Sequence, residues 1–249
     1  KGKSIIKLKK QNLILDKATI ISIFSIGISP FSMQVATSII QVISNNSLKQ
    51  YGGDLAIGAM AIISSIAMIF AMPIFGINQG SQPIIGYNYG SGKYDRVKET
   101  VKYGTIAATI IVIFGWCVVQ FFPHTLIRMF NNDPELVSIA TTGMKIFLFM
   151  IPVTGMQIIS SNYFQSIGKA KISMFLSLLR QVILLIPCLL ILPNVPGLNG
   201  EPLGLTGIWL SGAISDGLSS LITLVIFYNS VKKLNRNKEV DCEEELSIC

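Results

Sequence analysis

Little in this chain is charged, and less still is equipped for acid–base or metal chemistry. Of its 249 residues only 13% are Asp, Glu, Lys or Arg, against about a quarter in an ordinary soluble domain. Histidine is almost missing: His124 alone leaves no pair of imidazoles for a metal and no Ser-His-Asp or Cys-His arrangement for nucleophilic catalysis. The four cysteines make no disulfide framework, since Cys117 and Cys188 sit inside apolar tracts while Cys242 and Cys249 fall in a charged tail without paired ligand spacing. The Gly-Ser-Gly of YNYGSGKYD lacks the GK[ST] continuation that cradles a nucleotide phosphate, and it follows an apolar tract rather than a strand. These absences argue against an enzyme and against a resident cofactor or metal. The chain also has neither an initiator Met nor the pattern of a cleaved signal, opening on the basic KGKSIIKLKKQNLILDK. The expectation is a sequence that begins in the middle of something longer.

What the chain has in place of charge is oil. Half of it, 51%, is hydrophobic, and the mean hydropathy is +0.59. A bilayer core about 30 Å thick takes about 20 apolar residues per helix. Six tracts reach that length, at roughly 20–43, 55–86, 102–122, 136–166, 172–192 and 204–228. The expected fold is therefore all-α and polytopic: a basic connector at 1–19, a six-helix transmembrane unit at 20–230, and a charged tail at 231–249. Lys and Arg crowd the alternate loops, sixteen on one side against two on the other, with Lys145 and Arg180 inside the spans. By the positive-inside rule both termini are cytoplasmic. That distribution explains the net charge of +7 without nucleic acid as a partner.

The tracts are not uniform. Pro30, Pro73, Pro152 and Pro187 are expected to interrupt four of them, because proline lacks an N–H and clashes with the preceding turn. Such breaks need neighbouring helices or a cavity to satisfy the freed carbonyls. Gln34 and Gln41 lie seven apart on one face of the first span, and the fourth carries Gln157, Asn162 and Gln165. Amides of this kind serve either as interhelical glue, at about 0.6 to 2 kcal/mol each, or as the lining of a cavity, and the residues alone leave both open. Pro30 precedes Gln34 by four positions and Pro152 precedes Gln157 by five, each in the first helix of a run of three, a loose hint of an inverted repeat. Lys145 is placed to snorkel toward the outer face. Arg180 and Asp216 lie deep in the fifth and sixth spans, where an unpaired charge costs about 2.5 to 3.5 kcal/mol on insertion scales. Either they pair with each other, or one of them takes part in ion coupling or substrate binding.

The run GINQGSQPIIGYNYGSGKYDRV, residues 76 to 97, leaves an apolar helix and enters a basic loop. It resembles the glutamine, proline and glycine signature of the multidrug and toxic compound extrusion (MATE) family. NYFQSIGKAKISMFLSLLRQVILLIPCLLILP and GLTGIWLSGAISD are similar to later helices of the same branch of bacterial exporters. The resemblance implies twelve helices in two six-helix lobes about a central cavity. Cationic or amphipathic drugs would be exported in exchange for sodium ions or protons. This chain is similar to the C-terminal lobe alone, as a fragment or a split-gene half, so the expected partners are the bilayer, an N-terminal six-helix lobe and small cationic drugs. The coupling ion is expected in that other lobe, because the first and fourth helices here offer Gln34, Gln41 and Gln157 where some relatives have an acid. On this reading Gln34, Gln41, Gln157, Asn162 and Gln165, with Phe31 and Met156, line the substrate cavity. Gly76 and Gly80 would let a neighbouring helix approach closely. Asn78, Gln79 and Gln82 would form an inner gate that controls conformational change more than it touches the drug. Two rival functions are a lipid-linked oligosaccharide flippase of the same superfamily, which would call for more cavity cations than Lys145 and Arg180, and a non-transporting subunit or remnant.

Overall fold

The structure is a computed structural model that describes residues 16–197 and 201–248. Most of the basic connector lies outside the described residues, and the side chains beyond 232 are likewise not described. The described residues are helical almost throughout: α1 (Lys17–Gly90), α2 (Tyr94–Phe121), α3 (Pro123–Arg128), α4 (Pro134–Phe147), α5 (Ile151–Ser166), α6 (Ala170–Leu178), a π-helical stretch Leu179–Leu185, α7 (Ile186–Ile191) and α8 (Gly204–Ile248).

Helix α1 begins where Asp16 accepts hydrogen bonds from the Thr19 backbone N–H at 2.9 Å and from its hydroxyl at 2.7 Å, which satisfies one of the donors left open at a helix start. The same bonds, the hydroxyl's first, hold the Asp16 carboxyl below its usual range. At 1.5 Å per residue a straight 74-residue helix would run about 110 Å. It does not, because Gly53 takes φ 66° and ψ −164°, a conformation open to glycine and poor for any residue with a Cβ. The two arms fold side by side: Met33 shares one cavity with Phe75, Asn78 and Gln82, and Gln41 shares a groove with Met60, Met68 and Met72. No connecting loop separates the arms, although the hydropathy pattern leaves a gap there at 44–54.

Membrane-compatible segments are Phe31–Gly90, Tyr94–Phe121, Lys171–Asn194 and Gly204–Ser230, with α4 and α5 making a fifth as a pair bent by 55°. The first of these is 60 residues long and, divided at Gly53, has the length for two passes. Large apolar side chains cover the outside, including Phe114 at 66% and Leu221 at 61% exposure, an outer surface that suits lipid and not water.

The packed interior lies in two clusters. One gathers Leu48, Ile63, Val119, Leu136, Met144 and Trp209 around the Gly53 end of the α1 hairpin. The other gathers Ile74, Ile85, Val97, Val112, Tyr163 and Phe164 around its return arm. Trp209 lies flat against Gly143, where an added Cβ would come within 2.6 Å of the indole. That close approach holds α8 against α4.

Two expectations about helix breaks need correction. Pro152 follows the α4–α5 bend and sits in the first turn of α5, and Pro187 sits in the first turn of α7 after the π stretch. Pro30 and Pro73, by contrast, lie inside continuous α1. A proline can ride within a long helix when the lost bond is local and neighbours satisfy the carbonyl, so only two of the four interrupt. Gly76 and Gly80 are not helix contacts either, since nothing among the described residues lies within 4 Å of a Cβ built on either one.

Candidate functional site

A polar cavity of about 360 Å³ opens between the two arms of α1, α5, α6 and the π stretch. Its wall carries Asn78, Gln79 and Gln82 from the return arm, Gln157, Ser161, Asn162 and Gln165 from α5, and Arg180 and Gln181 from the π stretch. Gln157, Asn162 and Gln165, expected to line a cavity, and Asn78, Gln79 and Gln82, expected to form a gate, therefore face the same space. Neither set stands apart, because the return arm of α1 lies directly against α5. Asn162 Nδ2 donates to the Asn78 backbone carbonyl at 3.2 Å and to Ser81 Oγ at 3.3 Å. That bond stitches the two helices at the cavity floor.

Gln157 and Gln181 are held by hydroxyls from other helices, whereas the buried Asn78 Oδ1 has no hydrogen-bond partner among the described residues. Gln157, only 6% exposed, accepts from the Ser219 and Ser220 hydroxyls of α8, each at 3.3 Å. The Thr37 hydroxyl bridges from the first arm to Gln181 Oε1 at 3.0 Å. Ser161 meets Ser173 at 3.0 Å and Ser177 at 3.3 Å. The signal for Ser219 and Ser220 was present as small hydroxyl residues in GLSS three positions after Asp216. Their partner lies 62 positions away, and no local pattern reveals it.

Arg180 and Asp216 meet. Arg180 Nε donates to Asp216 Oδ1 at 2.6 Å. The carboxylate side chain is 9% exposed and the arginine side chain 36%. The acid is thus sealed behind the wall while the guanidinium reaches the cavity. Arg180 lies in the π stretch Leu179–Leu185, just ahead of Pro187. Proline cannot return a hydrogen bond to the carbonyl four residues back, and the wider i→i+5 turn relieves that mismatch while re-aiming the side chains within it.

The other candidate residues lie elsewhere. Gln41 lines an open groove of about 930 Å³ between the α1 arms, with Thr37, Ser44, Asn45, Ser64, Ser65, Met60, Met68 and Met72. Those methionines recur on one face of the return arm, a pattern legible in the sequence that hydropathy alone passed over. Phe31 lies in a small apolar pocket with Val35, Ile39, Val182 and Ile186, and Gln34 is exposed on the same arm. Met156 is turned away from Gln157 into a different apolar pocket with Val97, Tyr163 and Phe227, because successive helical positions differ by about 100°. Lys145 is exposed in the last turn of α4 and outside the cavity. Among the described residues no cluster of three His, Cys, Asp or Glu could hold a metal.

A family model described as MatE matches residues 30–190, nearly all of the hairpin, cavity and π stretch. The chain belongs to the MatE family. MatE proteins are multi-pass membrane transporters and not enzymes. Among relatives, Multidrug export protein MepA of Staphylococcus haemolyticus (strain JCSC1435) is 28% identical over 224 residues, 89% of this chain and 47% of that protein. The protein of the same name from Staphylococcus saprophyticus subsp. saprophyticus is 29% identical over 214 residues, 85% of this chain and 45% of its own length. A solved structure of the MATE multidrug transporter DinF-BH is 35% identical, with a TM-score of 0.76 over 91% of this chain and 49% of that one. A MATE in complex with MaL6 shares the fold at a TM-score of 0.81 and 16% identity, matching 94% of this chain and 52% of its own. The chain thus spans about half the length of the curated relatives it matches.

Proposed function

We propose that this MatE chain is the C-terminal six-helix lobe of a multidrug exporter, and that it works by alternating access against a second six-helix lobe. The carrying observation is the α1 hairpin, one of whose faces bears the methionine groove while the other end closes the amide cavity. Gln41 lies about 18 Å from the Gly53 turn and Gln82 about 43 Å at helical rise, so these two positions sit toward opposite membrane faces, while the groove and the cavity adjoin where Thr37 donates to Gln181. A path with a soft outer wall and a hydrogen-bonding inner wall is what a polyspecific carrier needs. Thioethers repack around different ligands, and uncharged amides hold the lobe's shape without binding too tightly to release.

In this reading Gln34, Gln41 and Phe31 face the substrate on the first arm, and Gln157, Asn162 and Gln165 do so deeper in. Asn78, Gln79 and Gln82 close the inner end. Met156 lies off the path, in its separate pocket. Substrates are cationic or amphipathic drugs. The coupling ion, sodium or proton, binds in the other lobe, since the only acid next to this cavity among the described residues, Asp216, is already paired. The lobe sits in the cell membrane with both termini cytoplasmic, as the distribution of Lys and Arg indicates. Rocking of one lobe on the other alternates the openings. A flippase for a pyrophosphate-linked lipid is disfavoured, because Lys145 faces away and only Arg180 remains as a cavity cation among the described residues.

The test is dye export. Drug-sensitive bacteria expressing this chain joined to an N-terminal six-helix lobe of a MatE relative are expected to lose ethidium several-fold faster than cells expressing either half alone. Retention equal to that of cells carrying neither half would sink the reading.

A further inference from the structure

We propose that Arg180 makes the inner cavity a recognition point for a carboxylate on an amphipathic ligand. The idea rests on the export reading for its context and sharpens the ligand class of the same cavity. Arg180 is the one ionised side chain among the described residues of the cavity wall, whose other polar members are amides and hydroxyls. Its Nε is bound to Asp216 Oδ1 at 2.6 Å, while its terminal Nη groups make no hydrogen bond to the described residues and its side chain is 36% exposed. A guanidinium held from behind by a buried acid, with its outer donors free in a concave polar space, is pre-set for planar two-point contact with a carboxylate. Gln79 and Gln165 are exposed on the same wall and can complete the ligand's hydrogen bonds. A volume of about 360 Å³ falls within the usual range for a small-molecule site.

Charge balance sets the strength. Asp216 keeps the site near neutrality without a ligand, but the same acid repels an incoming carboxylate. The preference for an anionic group is therefore moderate, about tenfold. A ligand whose sole polar group is a cation meets only the guanidinium and the amides here, with no accessible acid among the described lining residues, and gains nothing from the pair. Amphiphiles carrying both a cation and a carboxylate are the class that uses the whole path, their cation in the outer groove and their acid at Arg180.

The probes are rhodamine B, which carries a free benzoate, and its ethyl ester, which differs only in that group. Binding to the full purified chain in lipid nanodiscs is read by fluorescence anisotropy, as the ratio of benzoate to ester affinity. The native ratio is expected near ten. Asp216→Asn, which keeps an acceptor for Nε but removes the repelling charge, is expected to raise it several-fold; a merely structural pair would not move the ratio upward. The double variant Arg180→Gln/Asp216→Asn, neutral and close in shape, is expected to bring it to about one. A native ratio of about one, no benzoate binding, or a ratio that ignores both variants overturns the proposal. If the ester dye is exported by the joined lobes but the benzoate gains nothing from Arg180, the carboxylate subsite falls and the export reading stands. If benzoate binds through Arg180 while neither dye is exported, the reverse holds.

Discussion

Removing either member of the Arg180–Asp216 pair should not cost the same, and the difference follows from where each side chain sits. Two unit charges about 4 Å apart attract by about 4 kcal/mol at an effective dielectric of about 20, but desolvation of the buried acid offsets much of that. Arg180→Met strands a carboxylate that is 9% exposed, a loss of about 3 to 5 kcal/mol for a fully buried pair. Because the arginine side chain is 36% exposed to the cavity, solvent screening reduces this to about 2 to 3 kcal/mol. Asp216→Asn leaves the 2.6 Å hydrogen bond geometry available and the freed charge able to reach water, so it should cost only about 1 kcal/mol. The double variant Arg180→Met/Asp216→Asn should recover about half of the Arg180→Met loss, since no charge is then buried. For a chain of this size about 2 to 4 °C of melting temperature corresponds to each kcal/mol. Thermal unfolding in one detergent, followed by size-exclusion of the surviving fraction, is expected to show a drop of roughly 4 to 12 °C for Arg180→Met and about a third as much for Asp216→Asn. Equal drops, or the opposite order, would refute the view that the acid is the sealed partner.

Three further substitutions probe the scaffold. Gly143→Ala places a Cβ within 2.6 Å of the Trp209 indole; overpacking of about 1 to 3 kcal/mol outweighs the roughly 1 kcal/mol gained in helix propensity, so thermal stability should fall and the Trp209 emission should shift. Gly53→Ala meets open space but must adopt φ 66° and ψ −164°, so a loss of about 1 to 3 kcal/mol is expected from strain alone, again read as a lowered melting temperature; Gly53→Asn should lose about as much, because asparagine tolerates the αL region and not this one. At Asp16 the folded carboxyl titrates below its ordinary value of 3.8, so the cap contributes above that pH and is lost as pH falls through the lower folded value. Protection of the Thr19 amide, its exchange compared with the intrinsic rate at the same pH, is expected to fall on acidification in the native chain and to be low at every pH in Asp16→Ala.

The sequence made the helices plain but not their joints. Apolar tracts of bilayer length predict spans, but helix ends do not follow them: α2 (Tyr94–Phe121) begins eight residues before the expected 102, and α8 starts at 204 but runs on to Ile248. The turn at Gly53 was hidden because a hairpin made by one backbone rotation needs no polar loop to mark it. Proline was an ambiguous sign: Pro187 coincides with a π stretch and Pro152 with a 55° bend, whereas Pro30 and Pro73 ride inside α1. The side chain does not say whether a neighbour will satisfy the carbonyl it frees. In the cavity, the amides of α5 and of the return arm were each visible as polar residues in an apolar helix. Their meeting was not, because it depends on α1 folding back upon itself. Arg180 and Asp216 were legible as costly charges that need partners, but the sequence left open whether they pair with each other or one of them serves ion coupling or substrate binding.

The most direct test of the central claim is two-sided labelling of the α1 hairpin in the joined transporter, with native cysteines replaced by serine and single cysteines placed at Gln41 and Gln82. A membrane-impermeant maleimide should reach Gln41→Cys from outside the cell and Gln82→Cys from the cytoplasmic side, and ethidium should move the two labelling rates in opposite directions. Labelling of both positions from the same face, or rates that do not respond to the dye, would contradict an alternating-access lobe.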